Sequence, residues 1–276
     1  MEIFDFNKIS YPKETAYFIG FVWADGAINR NNYVVIEINK DDGLNLFNIF
    51  SKVCDFKYSE RQRVKRKPQS TFFFNNKEMA QFFIENGKYS NTIESHKKIL
   101  EYIPDEYKIY FLRGLIDGDG CFYAQKPNKK WHNNAPQFTI AGRYEQDWDA
   151  LCEYLKSLGV NMTIKRRVHK TSKSSIIQTT SPKEIENLID KLYLNEDNIF
   201  LERKFKKSKD IIEEHKRCTQ ESLEKRQKYE IFDGNTVVVV DSLRKYAIEN
   251  NCCYELLNKL ANNRISKYKN YTIKKI

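Results

Sequence analysis

The sequence predicts an α+β chain, with two pseudo-symmetric αββαββα repeats around two packed helices and then a small, mostly helical module. Three observations carry this. Two apolar runs, each ending in aspartate and glycine, align without a gap. After each run, segments of helical and of two-residue period follow in the same order. Towards the C-terminus the composition shifts to a charged, strongly basic tail.

The second apolar run is the clearer one. Ile109–Gly120 reads IYFLRGLIDGDG, with Asp105 and Glu106 before it as helix-start residues and Gly118 and Gly120 as a helix stop. Asp117 and Asp119 then sit at the negative end of the helix dipole. A bound cation is the simplest reason for carboxylates there; an acidic turn after a core helix is the plain alternative. The first copy, Ala16–Gly26, reads AYFIGFVWADG. At a constant offset of 94 residues, Gly20 falls on Gly114, Ala24 on Gly118, Asp25 on Asp119 and Gly26 on Gly120. A mid-helix glycine costs about 1 kcal/mol against alanine. Two at matching positions predict helices that cross there, backbone against backbone, about a pseudo-twofold axis. Helices packed along that axis bring Asp25 and Asp119 together. Asp117 falls on Trp23, has no symmetric counterpart, and is expected to be structural.

The paired motifs resemble those of the LAGLIDADG homing endonucleases of the two-motif, single-chain type. The second copy is close to that pattern; in the first, Trp23 stands where the pattern has aspartate. The last acidic residue, which the family uses for metal, is present in both. The resemblance covers residues 14 to about 207. It implies a saddle of antiparallel sheets and a site-specific double-strand DNA endonuclease. Mg2+ (or another divalent cation such as Mn2+) would be held by Asp25, Asp119 and the backbone carbonyls of Ala24 and Gly118.

In order, the chain reads as follows. Residues 1–13 are an irregular lead-in, and Glu14–Ala24 is the first motif helix. Ala27–Arg30 and Tyr33–Asn39 are strands joined at Asn31 and Asn32. Asp41–Val53 is a helix capped by Asp41 or Asp42, with Leu44, Phe47 and Phe50 on one face. Lys57–Lys67 and Ser70–Asn75 pair around Pro68, and Asn76–Asn86 is amphipathic. The second repeat gives strands at Cys121–Gln125 and Pro136–Gly142 with a longer connection, and a helix at Glu145–Leu158. Strands at Met162–Lys170 and Ser174–Thr180 follow, then a helix at Ser181–Leu192, with Ser181 as cap, Pro182 first and Glu184 three residues on. The expected divisions are 1–105, 106–207, a helical linker at 208–230, and 231–276.

Net charge is +10, a surplus that points to a polyanionic partner. Two basic runs lie at matching places when Val64 is set on Val168. Alternation along a strand puts Arg61, Arg63 and Lys65 on one face, and Lys165, Arg167 and His169 on the matching face of the other repeat. Such faces suit duplex DNA, with phosphates giving affinity and some arginines reading guanine edges. Segments 95–104 and 200–207 also echo each other. By the resemblance, Lys97 (or Lys98) and Lys204 (or Arg203) stand near the scissile phosphate. From Lys204 onward there are 17 Lys and Arg against 10 Asp and Glu. After a strand at Thr236–Val240, helices at Asp241–Asn250 and Cys253–Ala261 resemble the helix-turn-helix modules appended to many homing nucleases. Tyr254, Asn258, Asn262, Arg264, Lys267 and Lys269 are its expected DNA contacts.

Other classes receive less support. No apolar run of membrane-spanning length occurs and no signal peptide is evident, so an intracellular protein without a membrane partner is expected. The six cysteines show no C-x-x-C pair and are expected as reduced thiols; four scattered histidines do not support an H-N-H or zinc site. The termini lack protein-splicing residues. A monomer acting on a long near-palindromic or asymmetric target is expected. The competing functions are an RNA maturase acting on its own intron RNA and a non-catalytic DNA-binding protein of the same fold.

Overall fold

A computed structural model describes residues 3–62, 68–90, 92–125, 135–168, 172–193, 197–224 and 227–276. Arg63, Lys65 and His169, three residues expected to face DNA, lie outside these. The chain divides into two compact units, 1–215 and 216–276.

The first unit is built on helices α1 (Pro12–Asp25) and α5 (Lys108–Asp119). Proline in the first turn and Glu14 beside it favour the start of α1. The two helices pack against each other through their glycines. A Cβ on Gly20 would collide with the carbonyl oxygen of Phe111, and one on Gly114 with that of Tyr17. The contact is reciprocal, and Tyr17 and Phe111 are related by the same 94-residue offset as the glycines. Both helices end at a glycine in extended backbone, Gly26 (φ −73°) and Gly120 (φ −69°). No left-handed cap forms, contrary to the expectation for Gly118 and Gly120. The chain turns straight into a strand instead, so close that a Cβ at either glycine would meet a carbonyl oxygen four residues back, of Val22 or Ile116.

From α1 the chain runs through β1 (Gly26–Ile28), β2 (Val34–Asn39), α2 (Lys40–Phe50), β3 (Lys57–Arg61), β4 (Gln69–Phe74) and α3 (Lys77–Glu85). A short hairpin, β5 (Lys88–Tyr89) and β6 (Thr92–Ile93), leads to α4 (Lys97–Tyr102) and then α5. The second repeat follows with β7 (Gly120–Gln125), β8 (Ala135–Arg143), α6 (Asp149–Ser157), β9 (Thr163–Val168), β10 (Lys173–Thr179) and α7 (Pro182–Leu192). Helix α8 (Glu202–Glu224) comes next. The two four-stranded sheets have the same antiparallel order, β1-β2-β4-β3 and β7-β8-β10-β9. Gly26 pairs with Ile36 and Gly120 with Ile140, so the ten extra residues of the second repeat fall between β7 and β8. Alternation sends Val34, Ile36, Phe72 and Phe74 inward, and Phe122, Phe138, Ile140 and Ile177 in the second sheet. Phe18 of α1 meets Phe50 edge-on at 5.0 Å and Phe50 meets Phe72 at 5.2 Å, within one core shared by both repeats.

Several local expectations need correcting. In α2 the buried face is Leu46, Ile49 and Phe50, while Leu44 and Phe47 are exposed. Asp42 does not cap the helix; it turns inward and takes the guanidinium of Arg203 on both oxygens, at 2.7 to 3.2 Å. Helix α6 begins at Asp149, because β8 continues to Arg143 and the Trp148 ring is drawn into the core. Trp148 Nε1 donates to Ser175 Oγ at 2.8 Å. Ser181 caps α7, accepting from the Glu184 amide, but Glu184 turns away to accept from Thr179 and Asn161.

The second unit holds a three-stranded antiparallel sheet, β12-β11-β13, of β11 (Tyr229–Phe232), β12 (Val237–Val240) and β13 (Thr272–Lys275). Helices α9 (Leu243–Glu249) and α10 (Tyr254–Ala261) accompany it around Ile231, Leu243, Tyr246, Ala247, Leu257 and Ala261. The expectation of a mostly helical module is thereby amended. β13 is short and cationic, so its sequence gave no strand signal, yet β11 needs partners on both edges. Ser242 caps α9 by accepting from the Lys245 amide.

Candidate metal and nucleic-acid site

The crossing of α1 and α5 carries Asp25 and Asp119 to the same end of the helix pair. The carboxyl carbon of Asp25 lies 3.5 Å from where a Cβ on Gly118 would stand. Asp25 reaches the surface and Asp119 is half-buried, but both carboxyls are ringed closely enough by protein for desolvation to raise their pKa. Asp119 rises to about 6, first through burial and then through the charge of Asp25. Two desolvated carboxylates, one further opposed by the charge of the other, are a site for a cation. Among the described residues no third His, Cys, Asp or Glu joins them. The protein supplies two carboxylates and the carbonyls at the helix ends, and water and phosphate oxygens would complete the shell. That donor set suits magnesium better than zinc.

Two ammonium groups flank the carboxylates. Lys204 Nζ contacts the carbonyl oxygen of Gly120 and lies 3.4 Å from that of Ile116 and 3.5 Å from that of Gly118. It neutralises the end of α5. Beside it, Arg203 is committed to Asp42. The first repeat brings a different lysine from the one expected: Lys88, 0% exposed, donates to the Trp23 carbonyl at the end of α1 at 2.8 Å. Burial lowers its pKa to about 8, against the opposing charges of Asp119 and Asp25. Lys97 and Lys98 are instead exposed at the start of α4, with Lys98 reaching the Glu85 carbonyl. Sequence reasoning missed Lys88 because it sits in a two-residue strand with no motif around it.

Asp117 is structural. It is buried and accepts from Tyr17 Oη at 2.9 Å and from the Leu201 amide at 2.7 Å. Buried Arg113, one turn earlier, holds Asp197 at 2.7 Å and the Ile199 carbonyl at 3.1 Å. The segment leading to Lys204 is thus tied to α5. At the matching position, Trp23 packs among Phe83, Phe111 and His96. His96 stacks on Trp148 and is held neutral by burial, its pKa lowered to about 4. Burial lifts the Asp117 pKa to about 7. A carboxyl raised above its unfolded value stabilises the fold while protonated, so its contribution is complete below about pH 4 and is lost as pH rises through 7. Urea unfolding at pH 5 and pH 8 should show Asp117→Asn losing about 2–3 kcal/mol less than the parent over that interval. An unchanged pH dependence would contradict the assignment.

The open sheet faces carry the basic residues. Arg61 pairs with Gln69 and lies in a row with Asn39; Arg167 pairs with Ser174 and lies in a row with Arg143. The ladders therefore make Arg61 the counterpart of Arg167, two residues out of step with the Val64 and Val168 alignment. Lys165 and Arg167 share the exposed face of β9. In the second unit, Tyr254, Asn258 and Asn262 follow one another along one side of α10, and Lys275 donates to Asn262 at 2.8 Å. Arg264, Lys267 and Lys269 are exposed beyond the helix.

Residues 112–215 match the family model for LAGLIDADG endonucleases. The fold is similar to that of the LAGLIDADG meganuclease I-AabMI bound to uncleaved DNA, at 13% identity and TM-score 0.50, covering 76% of this chain and 92% of that one. It is also similar to the homing endonuclease I-WcaI bound to its DNA recognition sequence, at 15% identity and TM-score 0.51, covering 73% and 88%. No curated protein matches the chain. Among the described residues no helix is long and apolar enough to cross a membrane.

Proposed function

We propose that this chain, whose second repeat matches the LAGLIDADG endonuclease family and whose core has that fold, is a site-specific double-strand DNA endonuclease. The observation that carries the reading is the reciprocal glycine crossing, with one motif aspartate from each repeat at the same end of the helix pair. Duplex DNA would lie along the open sheet faces of the first unit, on Arg61, Arg143, Lys165 and Arg167; the second unit, taken by itself, would offer DNA Tyr254, Asn258 and Asn262 with Arg264, Lys267 and Lys269. Asp25 and Asp119, with the carbonyls of Ala24 and Gly118, would hold divalent cations. Bound there, these supply an activated water and neutralise charge on the leaving oxygen.

The chain's own residues do the rest. The helix crossing fixes the spacing of the two carboxylates. Lys88 and Lys204 place positive charge beside them, where a phosphate accumulates negative charge on the way to cleavage. Their burial holds them in place without an entropic penalty at the moment of reaction. Lys88→Met is expected to lower cleavage about a hundredfold with DNA affinity unchanged, whereas Lys97→Met leaves cleavage unaffected. The reverse order of effects would restore the exposed lysine to the role.

The direct experiment is selection of cleaved sites from a randomised duplex library with the full chain and magnesium. Recovery of one long consensus cut on both strands is expected. Tight binding with no cutting in either magnesium or manganese would make the protein a non-catalytic DNA binder.

A further inference from the structure

The strand ladders allow the open faces of the two sheets to be compared position by position. In the row nearest the helix ends, the first sheet presents Ala27, Val35, Phe73 and Lys57. The equivalent row of the second sheet presents Cys121, Thr139, Gln178 and Thr163. These rows are symmetry-matched, since Gly26 pairs with Ile36 as Gly120 pairs with Ile140. One is apolar over three strands; the other sets Thr139 and Thr163 beside Cys121, with Gln178 buried between them.

The apolar row is not core. Ala27, Val35 and Phe73 are half-exposed, on the face opposite Val34, Ile36, Phe72 and Phe74, which fill the core. The ring of Tyr33 meets Phe73 edge-on at 5.2 Å and props it in place on that face. Further out the contrast takes another form. The first sheet shows Glu37, Thr71 and Ser59, then Asn39, Gln69 and Arg61. The second shows Ala141, Ile176 and Lys165, then Arg143, Ser174 and Arg167. Among the described residues the first face carries Lys57 and Arg61 and the second Arg143, Lys165 and Arg167, and the first alone has an apolar patch two residues from a motif aspartate, Asp25.

In the major groove only the thymine C5-methyl group offers an apolar contact, whereas guanine offers paired acceptors to arginine. We propose that the two repeats read their half-sites with different chemistry: the first through thymine methyl groups packed on Val35 and Phe73, the second through polar and cationic contacts from Thr139, Lys165 and Arg167. This rests on the reading of the chain as a duplex-DNA-binding nuclease, and it names the bases that the first half-site must contain. The target is accordingly asymmetric, with thymine close to the cut on one side only.

Replacing thymine by deoxyuridine removes the methyl group and leaves base pairing intact. A duplex selected by the full chain from a randomised library, with magnesium replaced by calcium to hold it uncut, is resynthesised with single thymine-to-uridine changes in both halves. Affinity is expected to fall about fourfold for each contacted methyl, as burial of one such group implies, in one half-site only. Phe73→Gln, which installs the residue of the matching position in the second repeat, should abolish that sensitivity while keeping the unfolding midpoint within a few degrees. Val35→Thr should reduce it. A selected site without thymine near the cut overturns the proposal, as does equal sensitivity in both halves or sensitivity that survives Phe73→Gln. If no duplex is retained at all, the nuclease reading itself falls, which is a distinct result.

Discussion

Asp119→Asn, and likewise Asp25→Asn, is expected to lower magnesium-dependent cleavage by at least about a thousandfold while leaving DNA affinity within a few-fold. The effect is electrostatic. Each aspartate lies where desolvation works against its charge, and Asp119 is further opposed by Asp25. A divalent cation would remove both penalties, and its loss would take away the activated water and the neutralisation of charge on the leaving oxygen together. Asparagine keeps shape and packing but is a far poorer ligand for a hard cation. Affinity should hold because the basic residues of the open faces, Arg61, Lys165 and Arg167, are untouched. The check is a paired measurement of cleavage rate in magnesium and of binding in calcium for each variant. Cutting at the parental rate by either one would remove that aspartate from the site. Asp117→Asn gives a built-in contrast, since its carboxyl serves Tyr17 and Leu201 and its expected effect is on the pH dependence of stability.

The second large effect lies at the helix crossing. Gly20→Ala and Gly114→Ala are each expected to destabilise the protein by about 2–4 kcal/mol, read as a lower urea midpoint. On an isolated helix the same change would stabilise by about 1 kcal/mol, because alanine is the better helix former. Here the added methyl has no room. It would fall on the backbone carbonyl of Phe111 or of Tyr17, and a backbone atom at the middle of a packed helix cannot swing aside. The helices must separate along their length, which loosens the buried residues around them. The sign of the change decides the matter: a gain in stability would mean that the helices do not meet at these glycines. A secondary loss of cleavage is expected wherever the variants fold, since the spacing of Asp25 and Asp119 depends on the same contact.

What the residues revealed before the structure follows a physical pattern. Local periodicity and a gap-free repeat gave both motif helices, both hairpin pairs and the reciprocal glycine contact, because these depend on near neighbours or on exact duplication. Asp42, Lys88 and the offset of Arg61 were not legible. Asp42 and Arg203 lie 161 residues apart and meet only in the fold. Lys88 is buried through its position on a short strand, and lysine ordinarily reads as a surface residue. Arg61 and Arg167 were set out of step because matching the valines ignores the ladder that pairs Arg61 with Gln69 and Arg167 with Ser174. The N-terminal end of α6 was misread because Trp148 anchors the chain in the core before the helix begins.

The seam between the repeats is made by main chain on the two helices, apart from the open sheet faces. Gly20 rests on a main-chain oxygen of one helix and Gly114 on its counterpart in the other, so neither contact depends on what the neighbouring sheets display. Residues on the open faces, such as Val35, Phe73, Thr139 and Arg167, lie away from it. With the open faces reading DNA as proposed, inherited change would alter one half of the target at a time, and a lineage would drift to a new target through intermediates that still fold and still bring both carboxylates together.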